Sequence, residues 1–359
     1  MRDRIGYAER WRMAAPVVAV VAAIVGVICV GGSTPTHAAG SAIRGRAAAT
    51  LPRATAAGDF DGDGKSDLGV FHPRSGSWYA ALSGGGALST ESVATQPGDI
   101  PVIADYDGDG RADLSIWRPS NPFCPGQGGL WFTVFSGGGT RATCIGQFGD
   151  LPVPADYDGD RKADLAIYRP LNQGCVGGAG LWYVQLSGGG AINECFGDGA
   201  AVPVPADYEN RGAADLAYYR FLTGQFLVLT KTGPIVASQV GRLATIQVGS
   251  GGDIAVPADY DGDGRIDPAV FSPNGDWRPW LSTCQCLYGP VPVGSIGVED
   301  IPVPGDYDGD GRADFAVFHP PNASWYVLLT GGGAMSTLLG HAGDIPTSKR
   351  PGYTGLYPY

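Results

Sequence analysis

The apolar positions of this 359-residue chain come in short runs broken by glycine, proline and aspartate. One unit shows the pattern. It reads Ile100-Pro101-Val102-Ile103-Ala104, an acidic break, Leu114-Ser115-Ile116-Trp117 and an Arg118-Pro119 stop. The run Leu130-Trp131-Phe132-Thr133-Val134-Phe135 follows, then the turn Ser136-Gly137-Gly138-Gly139 and a last short stretch ending at Phe148-Gly149. Runs of about four to seven residues between such turns predict β-strands, and four strands with three turns make one antiparallel blade. The acidic breaks begin at Asp59, Asp105, Asp156, Asp207, Asp259 and Asp306, at spacings of 46, 51, 51, 52 and 47 residues. Periods of that size mean propellers or solenoids. The predicted fold is an all-β propeller of four-stranded antiparallel blades, six by the number of copies, with seven as the alternative.

The breaks themselves carry chemistry. The first reads Asp59-Phe60-Asp61-Gly62-Asp63-Gly64-Lys65-Ser66-Asp67, with carboxylates at positions 1, 3, 5 and 9 of a glycine-softened turn. Crowded carboxylates repel one another, and a hard divalent cation supplies the missing counter-charge. An oxygen-only donor set suits calcium better than zinc or copper. The pattern is complete in Asp105, Asp107, Asp109 and Asp113, in Asp259, Asp261, Asp263 and Asp267, and in Asp306, Asp308, Asp310 and Asp314. At position 7, Lys65, Arg111, Lys162, Arg265 and Arg312 are expected to offer a backbone carbonyl, with the side chain in solvent. Loop three keeps Asp156, Asp158, Asp160 and Asp164 but has Arg161 where the others have glycine. A left-handed backbone there costs a non-glycine residue about 1–2 kcal/mol, so a weaker site is expected. Loop four, Asp207 to Asp215, has Arg211 in place of the third carboxylate. Arg211 is expected to pair with Asp207 and Asp215 and stand in for the ion, leaving about five calcium sites. An EF-hand is excluded, because position 12 of the first loop is Val70 rather than glutamate and strands, not helices, follow.

Copy length differs in one place. Copies one and six pass quickly from the second strand to the third, whereas copies two and three insert Asn121 to Gly129 and Asn172 to Gly180. Turns of an up-and-down blade alternate between faces, so the acidic loops and triple-glycine turns share one face and the inserts occupy the other. Variation confined to one face of a repeat array marks it as the binding face. Cys124 and Cys144 lie 19 and 39 residues after Asp105, and Cys175 and Cys195 repeat those offsets after Asp156. Disulfides Cys124–Cys144 and Cys175–Cys195 are therefore predicted, each closing a loop within its own copy and contributing about 3 kcal/mol in the chain-entropy model. Cys284 and Cys286 either pair together or stay free.

Composition changes the picture at two points. The formal charge of −11 suggests a basic partner, but twenty of the 35 acidic residues sit in the five complete cages. The acidity reports metal, and no basic footprint for nucleic acid remains. At the start, Arg2, Arg4, Arg10 and Arg12 precede an apolar run from Met13 to Val30, and Thr36-His37-Ala38 offers small residues for cleavage. Residues 1–38 are read as a signal peptide or an uncleaved membrane anchor, 39–52 as an Ala-rich linker, 53–345 as the propeller and 346–359 as a tail. Export places the chain outside the cell or on its surface, and an even six cysteines after the leader fit an oxidising compartment.

Trp78, Trp131, Trp182, Trp277 and Trp325, with Phe226, begin the third strand of the six copies. An aromatic platform for sugars is one reading, and packing between neighbouring blades is the better one. His72, Arg118, Arg169, Arg220 and His319 end the second strands below the variable face, where they hydrogen-bond loop groups or contact a ligand. No phosphate loop, His-Glu-x-x-His cluster or Gly-x-Ser-x-Gly elbow occurs.

These residues resemble the FG-GAP repeat family, integrin-α-like and also called VCBS. Phe148-Gly149 and Phe196-Gly197 match one half of the name, Val153-Pro154-Ala155-Asp156 and Val204-Pro205-Ala206-Asp207 the other, and Asp-x-Asp-Gly-Asp-Gly-x-x-Asp the family's calcium loop. The resemblance implies a propeller with calcium between the first two strands of each blade, used for adhesion or as a lectin-like or accessory module. The expectation is an extracellular module that binds a glycan or protein, reaching membrane only through an uncleaved anchor. The alternatives are a polysaccharide lyase or hydrolase on the same scaffold and a surface spacer.

Overall fold

A computed structural model describes residues 58–90, 96–230, 242–294 and 300–348. The leader, the cleavage site and the linker lie outside them. The described strands form six antiparallel sheets, and these are the six blades of a β-propeller; seven is set aside. Blade 2 is typical, with Ile100–Pro101 innermost, then Leu114–Arg118, Leu130–Val134 and Thr140–Cys144. Its outer strand stops at Cys144, so Phe148-Gly149 belongs to the turn into blade 3 and not to a strand end. The outer strand of blade 5 is broken into Cys286–Leu287 and Val291–Pro292, both paired with Asp276–Leu281.

Burial falls from the inside outwards. The second strand of blade 2 is buried at every residue, because neighbouring blades cover both of its faces, whereas the third alternates and the outer one is mostly exposed. The core is accordingly a set of seams between blades. Trp78 of blade 1 packs with Leu114 and Ile116 of blade 2, and Trp131 of blade 2 with Leu165 and Ile167 of blade 3. All five repeated tryptophans and Phe226 are at most 1% exposed, so they are seam residues and not a sugar platform.

The ring closes with strands from both ends of the chain. Blade 1 takes Leu68–His72, Ser77–Ala81 and Ala87–Thr90 from the first copy, and its innermost strand is Ile345–Pro346. Ile345 pairs with Phe71 and Pro346 with Val70, and the Thr347 N–H donates to the Gly69 carbonyl (2.8 Å). A second closure runs through the acidic loops. In each, the N–H at position 8 donates to the position 1 carbonyl of the preceding loop: Ala112 to Asp59, Ala163 to Asp105, Ala214 to Asp156, Ile266 to Asp207, Ala313 to Asp259 and Ser66 to Asp306. Six such bonds make a complete circle.

Candidate functional site

Each acidic loop is organised by its own carboxylates. Asp59 accepts the N–H groups of Gly62 (2.6 Å) and Gly64 (2.8 Å), Asp61 that of Asp63, and Asp63 that of Lys65. Asp67 accepts Phe60 N–H on one oxygen and Ser83 N–H, from the triple-glycine turn, on the other. The turn and the acidic loop therefore share one face, as the alternation of blade turns requires. Loops two and three repeat the arrangement, with Asp113 accepting from Tyr106 and Ser136 and Asp164 from Tyr157 and Ser187. Position 4 favours glycine for two reasons, and loop four alone has another residue there, Asn210, also left-handed with φ of +54°. Gly62 has φ of +79°, and a Cβ there would lie 3.1 Å from the Arg111 side chain of the next loop. Arg111, Lys162, Arg312 and Lys65 thus lay their stems across a neighbouring glycine rather than pointing only into solvent.

Carboxylate oxygens of Asp59, Asp61 and Asp67 come within 4.8 Å of one another, as do those of Asp105, Asp107 and Asp113, of Asp156, Asp158 and Asp164, and of Asp259, Asp261 and Asp263. Burial pushes Asp113 and Asp164 up to about 6 and Asp267 to about 7, the neighbouring carboxylates adding to it and backbone N–H bonds opposing it. Burial also raises Asp59, Asp67, Asp105, Asp259 and Asp314. Converging oxygens that resist ionisation are what a hard cation relieves, so the donor set fits calcium.

Arg161 adopts φ of +71° at position 6, the left-handed backbone expected there. Arg161→Gly is expected to stabilise the protein by about 1 kcal/mol and to tighten cation binding at that loop, read as a calcium titration. In loop four the Arg211 guanidinium reaches Asp215 and Glu209 (2.9 Å to the latter), and its backbone N–H donates to Asp207. Its charge sits between the carboxylates at positions 3 and 9. Replacing Glu209, Asn210 and Arg211 with Asp, Gly and Asp restores the full pattern, and calorimetry is expected to count one more calcium per chain than in the parent.

The opposite face is built differently. The inserts each hold a single 3₁₀ turn, Pro125–Gln127 and Val176–Gly178, and are tied to the outer strand of their blade by Cys124–Cys144 and Cys175–Cys195. Cys284 pairs with Cys286. In five blades the residue that ends the second strand is held by an aspartate. Arg118 makes a two-point contact with Asp99 (2.7 and 2.8 Å), Arg169 the same with Asp150, and Arg220 bonds Asp198 (2.9 Å). His319 bonds Asp300 (2.7 Å), and His72 bonds Asp344. These aspartates were missed in the sequence, although each stands before the first strand of a blade, in Gly-Asp-Ile-Pro at Asp99 and Asp344. Phe123, Phe148, Leu171, Val176 and Leu222 stand exposed on this face, in the loops of blades 2 to 4. A depression of about 390 Å³ between Phe148 and Leu171 has Asp150 and Arg169 among its walls.

Fold and loops together define a β-propeller of acidic-loop repeats. Residues 59–116 match the FG-GAP-like repeat, so the chain is a propeller that carries that repeat. No curated protein matches the chain in sequence. Among solved structures it is similar to a streptogramin B lyase (11% identity, TM-score 0.45, covering 81% of this chain and 85% of that one). It is also similar to an Agrocybe aegerita lectin that recognises non-reducing terminal N-acetylglucosamine (15%, 0.47, 76% of each). AztD from Citrobacter koseri is a third (9%, 0.43, 79% and 88%). Likenesses this distant carry no argument about activity.

Proposed function

We propose that the chain is a calcium-stabilised extracellular binding module whose ligand surface is the face opposite the acidic loops, over blades 2 to 4. The observation that carries this reading is the row of exposed apolar side chains on consecutive loops of one face, with Phe123 92% and Val176 98% exposed on inserts stapled by disulfides. Large apolar side chains held rigidly in water stabilise nothing in the free protein and mark an interaction surface. Leu171, Val176 and Leu222 offer no hydrogen bonds to sugar hydroxyls, which favours a protein segment over a glycan as ligand. The aspartates of the acidic loops are the groups that would hold calcium, and the bound ion would supply their counter-charge. Three disulfides fit an oxidising compartment. Among the described residues no helix is long and apolar enough to cross a membrane.

Peptides selected from a displayed library against the protein test this reading. They are expected to lose binding to the Phe123→Ser, Phe148→Ser, Val176→Ser variant by about tenfold or more, with its thermal midpoint unchanged. Peptides that bind the variant equally well, or a glycan array that gives the only ligands, would overturn it.

A further inference from the structure

The pair that ends the second strand is Arg–Asp in blades 2, 3 and 4 and His–Asp in blades 1 and 6. Blade 1 differs further. The N–H three residues before the aspartate, which caps the turn, comes from Gln96 in blade 2 and Gln147 in blade 3, but from His341 at the ring closure (2.8 Å to Asp344). That bond uses only the backbone of His341. Its side chain, 57% exposed, stands beside the same carboxylate, with Nδ1 3.7 Å from Asp344. The rings of His72 and His341 lie edge to face at 5.7 Å, and the donor atoms of His72, His341 and Asp344 all fall within 4.8 Å of one another. The Asp344 side chain is fully buried and fixed by the turn, and the His72 side chain is 26% exposed.

Two imidazoles and one carboxylate form a different donor set from that of the acidic loops. Nitrogen ligands select borderline ions of the zinc class over calcium. Bonds of about 2.0–2.2 Å to such an ion bring its ligand atoms to roughly 3.3 Å from one another. The exposed His341 ring can close that distance, while Asp344 keeps the N–H bond that orients it. We propose that His72, His341 and Asp344 form a binding site for one borderline divalent ion of the zinc class, completed by water, on the face opposite the acidic loops. His72 comes from the first copy and the other two from the end of the last, 272 residues apart for the contacting pair. The ion is thus a clasp across the ring closure.

The full chain, without an added histidine tag and in millimolar calcium to fill the acidic loops, is titrated with Zn²⁺ against a chromogenic chelator. One equivalent is expected to bind and to raise the thermal midpoint. His341→Ala is expected to weaken binding by about tenfold or more. His72→Arg, which installs the residue that blades 2 to 4 use, is expected to do the same with the zinc-free midpoint preserved. Cobalt(II) bound to the parent is expected to show visible absorption that both variants lose. No uptake in calcium, or uptake that survives both variants, would overturn the site. If His72→Arg fails to fold, the exposed His341→Ala still decides.

Discussion

In chelator the thermal midpoint of the protein is expected to fall by about 15–30 °C from its value in about 10 mM calcium. An ion at about ten times its Kd stabilises by roughly 1.4 kcal/mol per site, and extracellular sites have Kd values of about 10⁻⁴–10⁻³ M. Five complete loops give about 7 kcal/mol, and a domain of this size gains about 2–4 °C per kcal/mol. A pH dependence accompanies the shift. Asp113 and Asp164, pushed up to about 6, and Asp267, up to about 7, hold protons in the folded state that an unfolded aspartate has already released. Their contribution in chelator is full below about pH 4 and is lost as pH rises through 6 to 7. The calcium-free midpoint should therefore fall across that window. With calcium the order reverses, because the ion binds the ionised loop and competes with protons. Midpoints that ignore chelator, or a calcium-free stability that climbs from pH 4 to 7, would remove the metal from this reading.

The ring of acidic loops links that result to the fold. Each loop passes a backbone hydrogen bond to the next, so an ion that rigidifies one loop also fixes the donor or acceptor offered to its neighbours. The acidic-loop face links the blades around the whole ring, and the opposite face varies in insert length and side chain. Arg211 in loop four fits the same logic, since its guanidinium supplies a positive charge to the carboxylates of Glu209 and Asp215 within one link of the circle.

Local signals were legible in the sequence, and contacts between distant segments were not. The acidic loops, the glycine turns, the blade period and the Cys124–Cys144 and Cys175–Cys195 bridges all lie within one repeat, where spacing fixes geometry. The aspartate contacts escaped because Asp99 precedes one strand and Arg118 ends the next, 19 residues on, and the offset fails altogether at His72 and Asp344. The same break explains the closing strand. Gly343-Asp344-Ile345-Pro346 repeats the start of a copy but no acidic loop follows it, so the expected boundary between propeller and tail, after residue 345, cuts through the strand that the ring brings beside Leu68–His72. Aligned in phase, the starts at Asp99, Asp150, Asp198, Asp253, Asp300 and Asp344 number six for six loops, with none before the first loop and one after the last.

That closing strand carries the second large effect. Ile345→Asp is expected to cost about 4–5 kcal/mol, seen as a fall in denaturant midpoint with little change in slope. Ile345 is buried in the seam that holds Phe71, Trp78 and Ile116, so the substitution places a carboxylate without a partner among apolar side chains. It also weakens the only strand pairing that joins the end of the chain to its first copy among the described residues. Leu338→Asp is the control: it lies 71% exposed on the outer strand of blade 6, and a change there is expected to stay within about 0.5 kcal/mol. The contrast separates ring closure from general intolerance to charge in the last copy. Equal effects at the two positions would mean that the ring is not held shut by Ile345–Pro346. A selective loss at Ile345, joined to a lower zinc affinity in the same variant, would tie the clasp at His72, His341 and Asp344 to the closure it spans, because Asp344 is oriented by the strand that follows it.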